Sequence, residues 1–224
     1  MSLILNIETA TKNCSVSLAE NGTLILLKEE NTGNYSHSEK LHVLINAALQ
    51  EAGKSFKELD AVAVSQGPGS YTGLRIGVSA AKGLCFALDK PLISVPTLNL
   101  LARSIHIEQG GVIVPMLDAR RMEVYSAVYD TAYNQLREVR AEIIDEHSFL
   151  EYLSSGKVYF LGDGSEKCQT VIRHANAVFL EGYFPSAKDM TELSFDKYKK
   201  SDIEDVAYFE PYYLKDFIIS KAKK

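Results

Sequence analysis

The chain has 224 residues, of which 46% are hydrophobic and 24% are charged, and its formal net charge is −5. This composition is typical of a globular protein, and the length accommodates one large domain or two of about 100 residues each. No stretch approaches the roughly 20 apolar residues of a membrane-spanning helix, and the start of the chain lacks the pattern of a secretory signal. The mildly acidic charge argues against a protein that binds nucleic acid by itself through a basic face.

The three cysteines, Cys14, Cys85 and Cys168, are isolated from one another. An odd and scattered set favours free thiols in a reducing compartment over a disulfide framework or a zinc site. We therefore expect a cytoplasmic protein.

The first half of the sequence predicts three antiparallel strands followed by alternating helices and strands. Residues 3–7 are almost all apolar, residues 14–19 alternate with period two, and Asn21-Gly22 is a strong hairpin signal. Strands separated by helices pair in parallel through right-handed crossovers. The predicted elements are strands at 3–7, 14–19 and 23–27, a helix at 36–52, a strand at 60–65, a helix at 72–88, a strand at 91–95 and a helix at 98–105.

The second half repeats this order without a repeat at the level of residues. The predicted elements are strands at 112–117, 123–129 and 137–144, a helix at 146–155, a strand at 158–161, a helix at 165–174 and a strand at 177–180. The duplicated order predicts an α/β protein of two ribonuclease-H-like lobes, with mixed sheets flanked by helices. This is the architecture of the actin, sugar-kinase and Hsp70 superfamily, and a fold of this kind does not by itself define a function.

The boundary between the lobes is predicted near Gly110-Gly111, which provides a hinge-like break. We place the N-terminal lobe, with its partner-binding helices, at residues 1–106 and the C-terminal lobe at residues 107–224. Residues 185–200 are polar and are predicted to be irregular, and residues 209–217 are expected to return and pack on the body.

The segment 67–77 reads GPGSYTGLRIG, between a buried strand and a helix. Gly67 and Gly69 permit a tight turn, and Ser70 can cap the helix. Such a loop could hold an anion against free amides, or it could be a rigid corner between strand and helix. Its spacing matches neither a Walker A loop nor a dinucleotide fingerprint, because no Lys follows the last glycine and the glycines run GxGxxxG.

The helix at 72–88 is apolar or small over an arc of about 240°, more than a helix needs to cover its own sheet. Gly73, Gly77 and Ala81 are four residues apart and would let another helix approach closely. An exposed apolar excess indicates a partner interface. Enclosure between the sheet and a neighbouring helix of the same lobe would account for the pattern equally well.

Other residues are candidates for a ligand site in the cleft between the lobes. Glu8 and Thr9 end the first strand, but no glycine follows that would let the backbone wrap a phosphate. Asp118 and Arg120 could meet a ligand in the cleft, or they could stabilise a turn through a charge-assisted hydrogen bond. His37 and His42 are five residues apart and would point about 140° away from each other on a helix, so we expect no metal site there.

Five segments, in order along the chain, resemble the TsaB (YeaZ) family. Residues 4–9 (ILNIET) are similar to the family's opening strand, and residues 37–41 (HSEKL) are similar to its HSExL helix start. Residues 67–77 match its GPGSFTGLRIG signature, and residues 118–125 (DARRMEVY) resemble its DARRxEVY strand. Residues 211–214 (PYYL) resemble its C-terminal P-x-Y-L. The glycine signature together with DARRxEVY is highly specific.

The resemblance implies a non-catalytic scaffold or activator subunit of the complex that forms N6-threonylcarbamoyladenosine at position 37 of tRNAs reading ANN codons. In that family the transferase is the paralogue TsaD, and the ATPase TsaE joins the pair. The resemblance implies that the first two helices bind TsaD and that the same helices form a homodimer, with tRNA bound only through the complex. The implied interface residues are Leu41, Leu44, Ile45, Ala48, Gly73, Leu74, Gly77, Val78, Ala81 and Leu84.

The resemblance also argues against an enzyme, a metal or a cofactor in this chain. Thr97 and Leu101 occupy the positions that align with the HxxxH metal pair of TsaD, and neither can replace a histidine ligand. Glu8 and Ala10 stand where the family has Asp and Ser, which weakens the case for a nucleotide in the cleft. The alternatives are an actin-like ATPase, a glycoprotease-like peptidase with its own activity, and a docking protein for another modifying enzyme.

Overall fold

The computed structural model describes residues 1–31, 37–108 and 110–215. None of the helices in these ranges is long and apolar enough to cross a membrane. The strands are β1 (Leu3–Glu8), β2 (Cys14–Glu20), β3 (Thr23–Glu30), β4 (Ala61–Gly67), β5 (Leu92–Pro96), β6 (Val112–Asp118), β7 (Glu123–Tyr129), β8 (Gln135–Ile143), β9 (Val158–Leu161) and β10 (Ala177–Leu180). The helices are α1 (His37–Glu51), α2 (Tyr71–Leu88), α3 (Thr97–Ala102), α4 (Leu150–Ser155), α5 (Ser165–Cys168) and α6 (Thr191–Lys199), with 3-10 turns at Phe56–Glu58 and Ala187–Met190.

The first sheet has the strand order β3-β2-β1-β4-β5. β1 pairs antiparallel with β2 and parallel with β4, and β4 pairs parallel with β5, which confirms the predicted pairing. Asn21 and Gly22 connect β2 to β3 with φ values of 52° and 83°, the region that Asn and Gly tolerate best. The hairpin prediction from this dipeptide is therefore confirmed.

The second sheet, β10-β9-β6-β7-β8, has the same arrangement of three antiparallel and two parallel strands. Together the two sheets confirm the predicted fold class of two mixed-sheet α/β lobes. We propose that the boundary between the lobes lies between residues 106 and 107, after α3.

Opposite faces of the first sheet are covered by different parts of the chain, because successive strand residues point to opposite sides. Leu5 and Ile7 belong to the core cluster that α1 and α2 cover. Ile4 points the other way and packs in a cluster with Met190 and Phe195, which lie in and just before α6. The segment that follows the second sheet thus supplies one covering layer of the first.

Two helix predictions were wrong at their ends, and one helix was not predicted. The helices predicted at 146–155 and 165–174 are short, beginning at Leu150 and ending at Cys168. The irregular segment predicted at 185–200 contains α6. Its sequence is polar, so its helical structure depends on the few apolar residues that contact the sheet, which local composition does not reveal. The predicted start of α1 at residue 36 lies outside the described residues, as do residues 216 and 217 of the predicted return.

Cys14, Cys85 and Cys168 are free and buried, which confirms the prediction from their spacing. Burial disfavours the thiolate and raises the pKa of Cys14 and Cys85 to about 12 and that of Cys168 to about 11. All three therefore act as small apolar side chains at neutral pH.

Candidate functional site

The motif segments of the first lobe meet inside the lobe, at the short loop of residues 9–13 that follows β1, which we call the β1 loop. Ser70 is the N-cap of α2, and its Oγ accepts a hydrogen bond from Gly73 N at 3.3 Å. Thr9 Oγ1 in the β1 loop donates to Gly73 O at 2.8 Å. His37 Nε2, at the start of α1, lies 2.6 Å from Thr11 O. These contacts join β1, α1 and α2 into one internal corner.

Glycine is required at Gly69, Gly73 and Gly77 because the β1 loop lies directly against all three positions. A Cβ at Gly69 would lie 2.6 Å from Ala10 O. A Cβ at Gly73 or Gly77 would overlap Thr9. Real Cβ atoms do not approach other atoms so closely, so all three positions exclude a side chain. The glycine signature is explained here by packing within one chain.

Three amides of the glycine loop already have acceptors within the chain, which argues against the anion-binding interpretation of this loop. Ser70 N donates to Ala10 O at 2.6 Å, and Gly67 N donates to Thr97 Oγ1 at 3.1 Å. Together with the capped amide of Gly73, these donors are unavailable to a phosphate. The contacts describe a rigid corner between β4 and α2.

The predicted ligand role of Glu8 and Thr9 also conflicts with the structure, because both side chains are fully buried. Burial raises the pKa of the Glu8 carboxyl from its ordinary 4.5 to about 7, although Glu8 Oε1 accepts from Ala10 N at 2.5 Å, which lowers it. The Ala10 amide of the β1 loop binds this carboxyl, and the Glu8 side chain has no exposed surface. A ligand between the lobes therefore cannot reach Glu8 in this conformation.

A cavity of about 270 Å³ does lie between the two sheets. It is lined by Gln66, Gly67, Pro96, Asn99, Tyr129, Gln135, Glu138, Val139 and Tyr212. Gly67 is the one residue that this lining shares with the predicted cleft site. A different set of residues from the one predicted therefore faces the space between the lobes.

Most of the residues predicted for the partner interface are enclosed within this chain, which corrects the prediction. The buried ones are Leu41, Ile45, Ala48, Gly73, Leu74, Gly77, Val78 and Ala81, and the half-buried ones are Leu44 and Leu84. The small residues at positions 73 and 77 face the β1 loop rather than solvent. Their spacing lets the protein's own loop approach α2 closely, so these buried residues are not available to a second chain.

The outward sides of α1 and α2 consist of other residues of the same helices. On α2 they include Thr72, Ile76, Ser79, Gly83 and Phe86, which lie within about 80° of one another at 100° per residue. Ile76 is half-buried and the other four are exposed, Phe86 by 86%. On α1, Val43 is 60% exposed and Ala47 is half-buried. We call these seven residues the outer strip.

The outer strip combines an exposed aromatic ring with room for a neighbour. A Cβ at Gly83 would meet no atom within 4 Å. Large apolar side chains that protrude next to small ones are typical of a surface that packs against another molecule. The residues of this strip were missed because their apolar pattern is sparser than that of the inner faces.

The C-terminal segment is held against the same corner. Tyr212 N donates to Gln66 O at 2.7 Å, and a Cβ at Gly67 would lie 2.7 Å from Tyr212 O. The ring of Tyr213 lies 5.0 Å from that of Tyr71, and the Arg75 guanidinium lies 4.6 Å from the Tyr71 ring. The PYYL segment therefore contributes to the first lobe next to the start of α2.

The DARRMEVY segment forms the hairpin between β6 and β7. Arg120 N donates to Asp118 Oδ1 at 3.0 Å, and the Lys167 ammonium also binds that carboxylate. Arg120 and Arg121 have φ values of 72° and 52°, a region that costs a residue with a side chain about 1–2 kcal/mol. The carboxylate of Asp118 therefore stabilises the turn, which was one of the two interpretations of this pair, while Arg120 is exposed.

No group of three or more His, Cys, Asp or Glu side chains in residues 1–31, 37–108 and 110–215 could hold a metal ion. Thr97 and Leu101 are both buried. The hydroxyl of Thr97 supports the glycine loop through Gly67 N, so it has a structural role.

Comparison with known proteins gives consistent matches over the whole chain. Residues 32–219 match the family model described as TsaD: tRNA N6-adenosine threonylcarbamoyltransferase. The tRNA threonylcarbamoyladenosine biosynthesis protein TsaB of Escherichia coli K12 is 30% identical, over 97% of this chain and 96% of that protein. The TsaB protein of Haemophilus influenzae is 27% identical, over 97% of this chain and 95% of that protein. The solved structure of YeaZ from Pseudomonas aeruginosa superposes with a TM-score of 0.83 at 26% identity, covering 96% of this chain and 100% of that one.

Proposed function

The chain belongs to the TsaB (YeaZ) family, and from this premise we propose that it is a non-catalytic subunit of the machinery that makes threonylcarbamoyladenosine in tRNA. Proteins similar to it along nearly their whole length are named for this biosynthesis. The proposed task is to bind the transferase paralogue TsaD and hold it in an active arrangement, with the ATPase TsaE joining the pair.

The observation that carries the proposal is the outer strip. Phe86 and Val43 leave large apolar surfaces in water, which costs free energy that a partner would recover by covering them. Gly83 and Ser79 are small, so a second helix can approach α2 closely between the larger side chains. We propose that TsaD packs on this strip and that a homodimer uses the same surface.

Three features support a role without catalysis. The Glu8 carboxyl is fully buried, and the amides of Gly67, Ser70 and Gly73 donate within the chain. Thr97 and Leu101 stand where the resemblance to TsaD would require metal-binding histidines. An ATPase or a peptidase would need groups that reach its substrate, and these candidates do not reach one.

The test is co-purification with TsaD from the same organism, using Phe86→Glu. A charged side chain within the strip would be buried by the partner without a counter-charge, so we expect pairing to be lost. Leu136→Glu is the matched control, because Leu136 is 52% exposed on β8 of the second lobe. Absence of a wild-type complex would refute the scaffold role. Loss of pairing in both variants, or in neither, would refute the assignment of the surface.

A further inference from the structure

The tip of the β6–β7 hairpin presents two adjacent arginines to solvent. Arg120 and Arg121 are both exposed and both have positive φ values, 72° and 52°. The backbone beneath them is fixed, since Ala119 N donates to Glu123 O and Glu123 N donates to Arg120 O, each at 3.1 Å. The two guanidinium groups therefore project from a defined turn.

The conformation of this turn does not explain the choice of arginine. Asn-Gly is the pair that most readily adopts two consecutive positive φ values. The same chain uses Asn21-Gly22 with such values, 52° and 83°, in the β2–β3 hairpin. A side chain at either position of the β6–β7 tip adds steric cost, so the backbone conformation gives no reason for arginine there, and the charge of the two side chains remains.

The carboxylates beside the tip are already neutralised by lysines. Asp118 binds the Lys167 ammonium, and Glu123 binds the Lys215 ammonium. Within the described ranges, the side chains of Arg120 and Arg121 form no ion pair or hydrogen bond. Two positive charges thus remain without a partner on a chain whose net charge is −5.

We propose that Arg120 and Arg121 bind backbone phosphates of tRNA when the chain is part of its complex. This inference rests on the proposed function, which brings a polyanion to the same assembly. A guanidinium group donates two parallel hydrogen bonds to a phosphate, and adjacent arginines on a rigid turn can contact one or two phosphates of a strand. Contacts of this kind strengthen binding without reading the base sequence.

The experiment uses the complex with TsaD and labelled tRNA, and compares wild type with Arg120→Asn/Arg121→Gly. This variant keeps the preferred turn residues, so the hairpin should fold and its thermal stability should not fall. We expect tRNA affinity to decrease on the order of tenfold at about 100 mM salt, and the slope of log affinity against log salt to decrease by about 1–2. Arg120→Lys/Arg121→Lys should retain most of the salt dependence.

The matched control is Arg140→Asn/Arg173→Asn, which removes the same charge from exposed positions elsewhere on the second lobe. Pairing with TsaD is measured separately in every variant. An intact complex whose tRNA affinity and salt slope match wild type would overturn the hairpin assignment and leave the proposed function standing. A hairpin variant that loses TsaD instead would identify a protein contact and overturn the RNA assignment. If the wild-type chain forms no complex at all, the proposed function fails and this inference fails with it.

Discussion

The two sides of α2 carry small residues at similar spacing, yet they contact different things. Gly73 and Gly77 on the inner side lie against the β1 loop, where a Cβ would overlap Thr9. Gly83 on the outer side faces open space next to Phe86, which is exposed. Small residues at helical spacing therefore indicate that another segment packs closely against the helix. They do not indicate whether that segment belongs to the same chain.

The two sides of α2 should respond very differently when the same large side chain is placed on each. Gly77→Arg forces a charged chain into the space of Thr9, and we expect it to destabilise the fold by roughly 3–5 kcal/mol, through overpacking and an unpaired buried charge. Chemical denaturation monitored by circular dichroism measures this loss. The control is Gly83→Arg, which should leave the unfolding midpoint unchanged or slightly raised. Equal losses in both variants would contradict the assigned orientation of α2.

A pH series tests whether the inner side is sealed, because Glu8 lies beneath the same loop. Its pKa is raised from 4.5 to about 7, so the unfolded chain releases this proton at a lower pH than the folded protein does. The contribution of this proton to the free energy of unfolding is complete below pH 4.5. It is lost as the pH rises through 7, which lowers the free energy of unfolding by about 3 kcal/mol. Glu8→Gln should remove this part of the pH dependence when free energies of unfolding are measured from pH 4.5 to 8. If the free energies of unfolding of wild type and Glu8→Gln differ by the same amount at every pH in that range, Glu8 is accessible to water.

The outer side is tested by its effect on assembly rather than on folding. Phe86→Glu should weaken pairing with TsaD by about 100-fold, the range of a central aromatic residue in an interface. The free energy of unfolding of the isolated chain should change by less than about 0.5 kcal/mol, since the side chain is exposed. Titration calorimetry and thermal denaturation of the same preparations separate the two effects. A variant that loses stability as much as affinity would show that Phe86 supports the fold.

The smallest expected effect is that of Gly83→Ala. Alanine is a better helix former than glycine by about 1 kcal/mol, and a Cβ at this position meets nothing. The isolated chain should therefore become more stable by up to that amount in chemical denaturation, whereas Gly77→Ala should lose stability because its Cβ overlaps Thr9. A destabilising effect at position 83 would place that residue inside the fold.

Much of the fold followed from short-range signals. The Asn21-Gly22 turn, the buried run of β1 and the helical spacing of α1 and α2 were each visible as local patterns, and their order predicted both sheets. α6 was not predicted, because its polar sequence becomes a helix only where Phe195 and its neighbours contact a sheet formed more than 90 residues earlier.

The candidate site, like the fold, was only partly predictable from the sequence. The excess of apolar and small surface on α2 was visible in the sequence, because periodicity is a property of neighbouring residues. Which part of that surface stays open depends on how distant segments pack against the helix. The β1 loop and His37 approach from distant positions and cover Gly73 and Gly77, leaving Gly83 and Phe86 exposed. A helical repeat contains no information about which segments will pack against each of its faces, so the packing of distant segments decides between them.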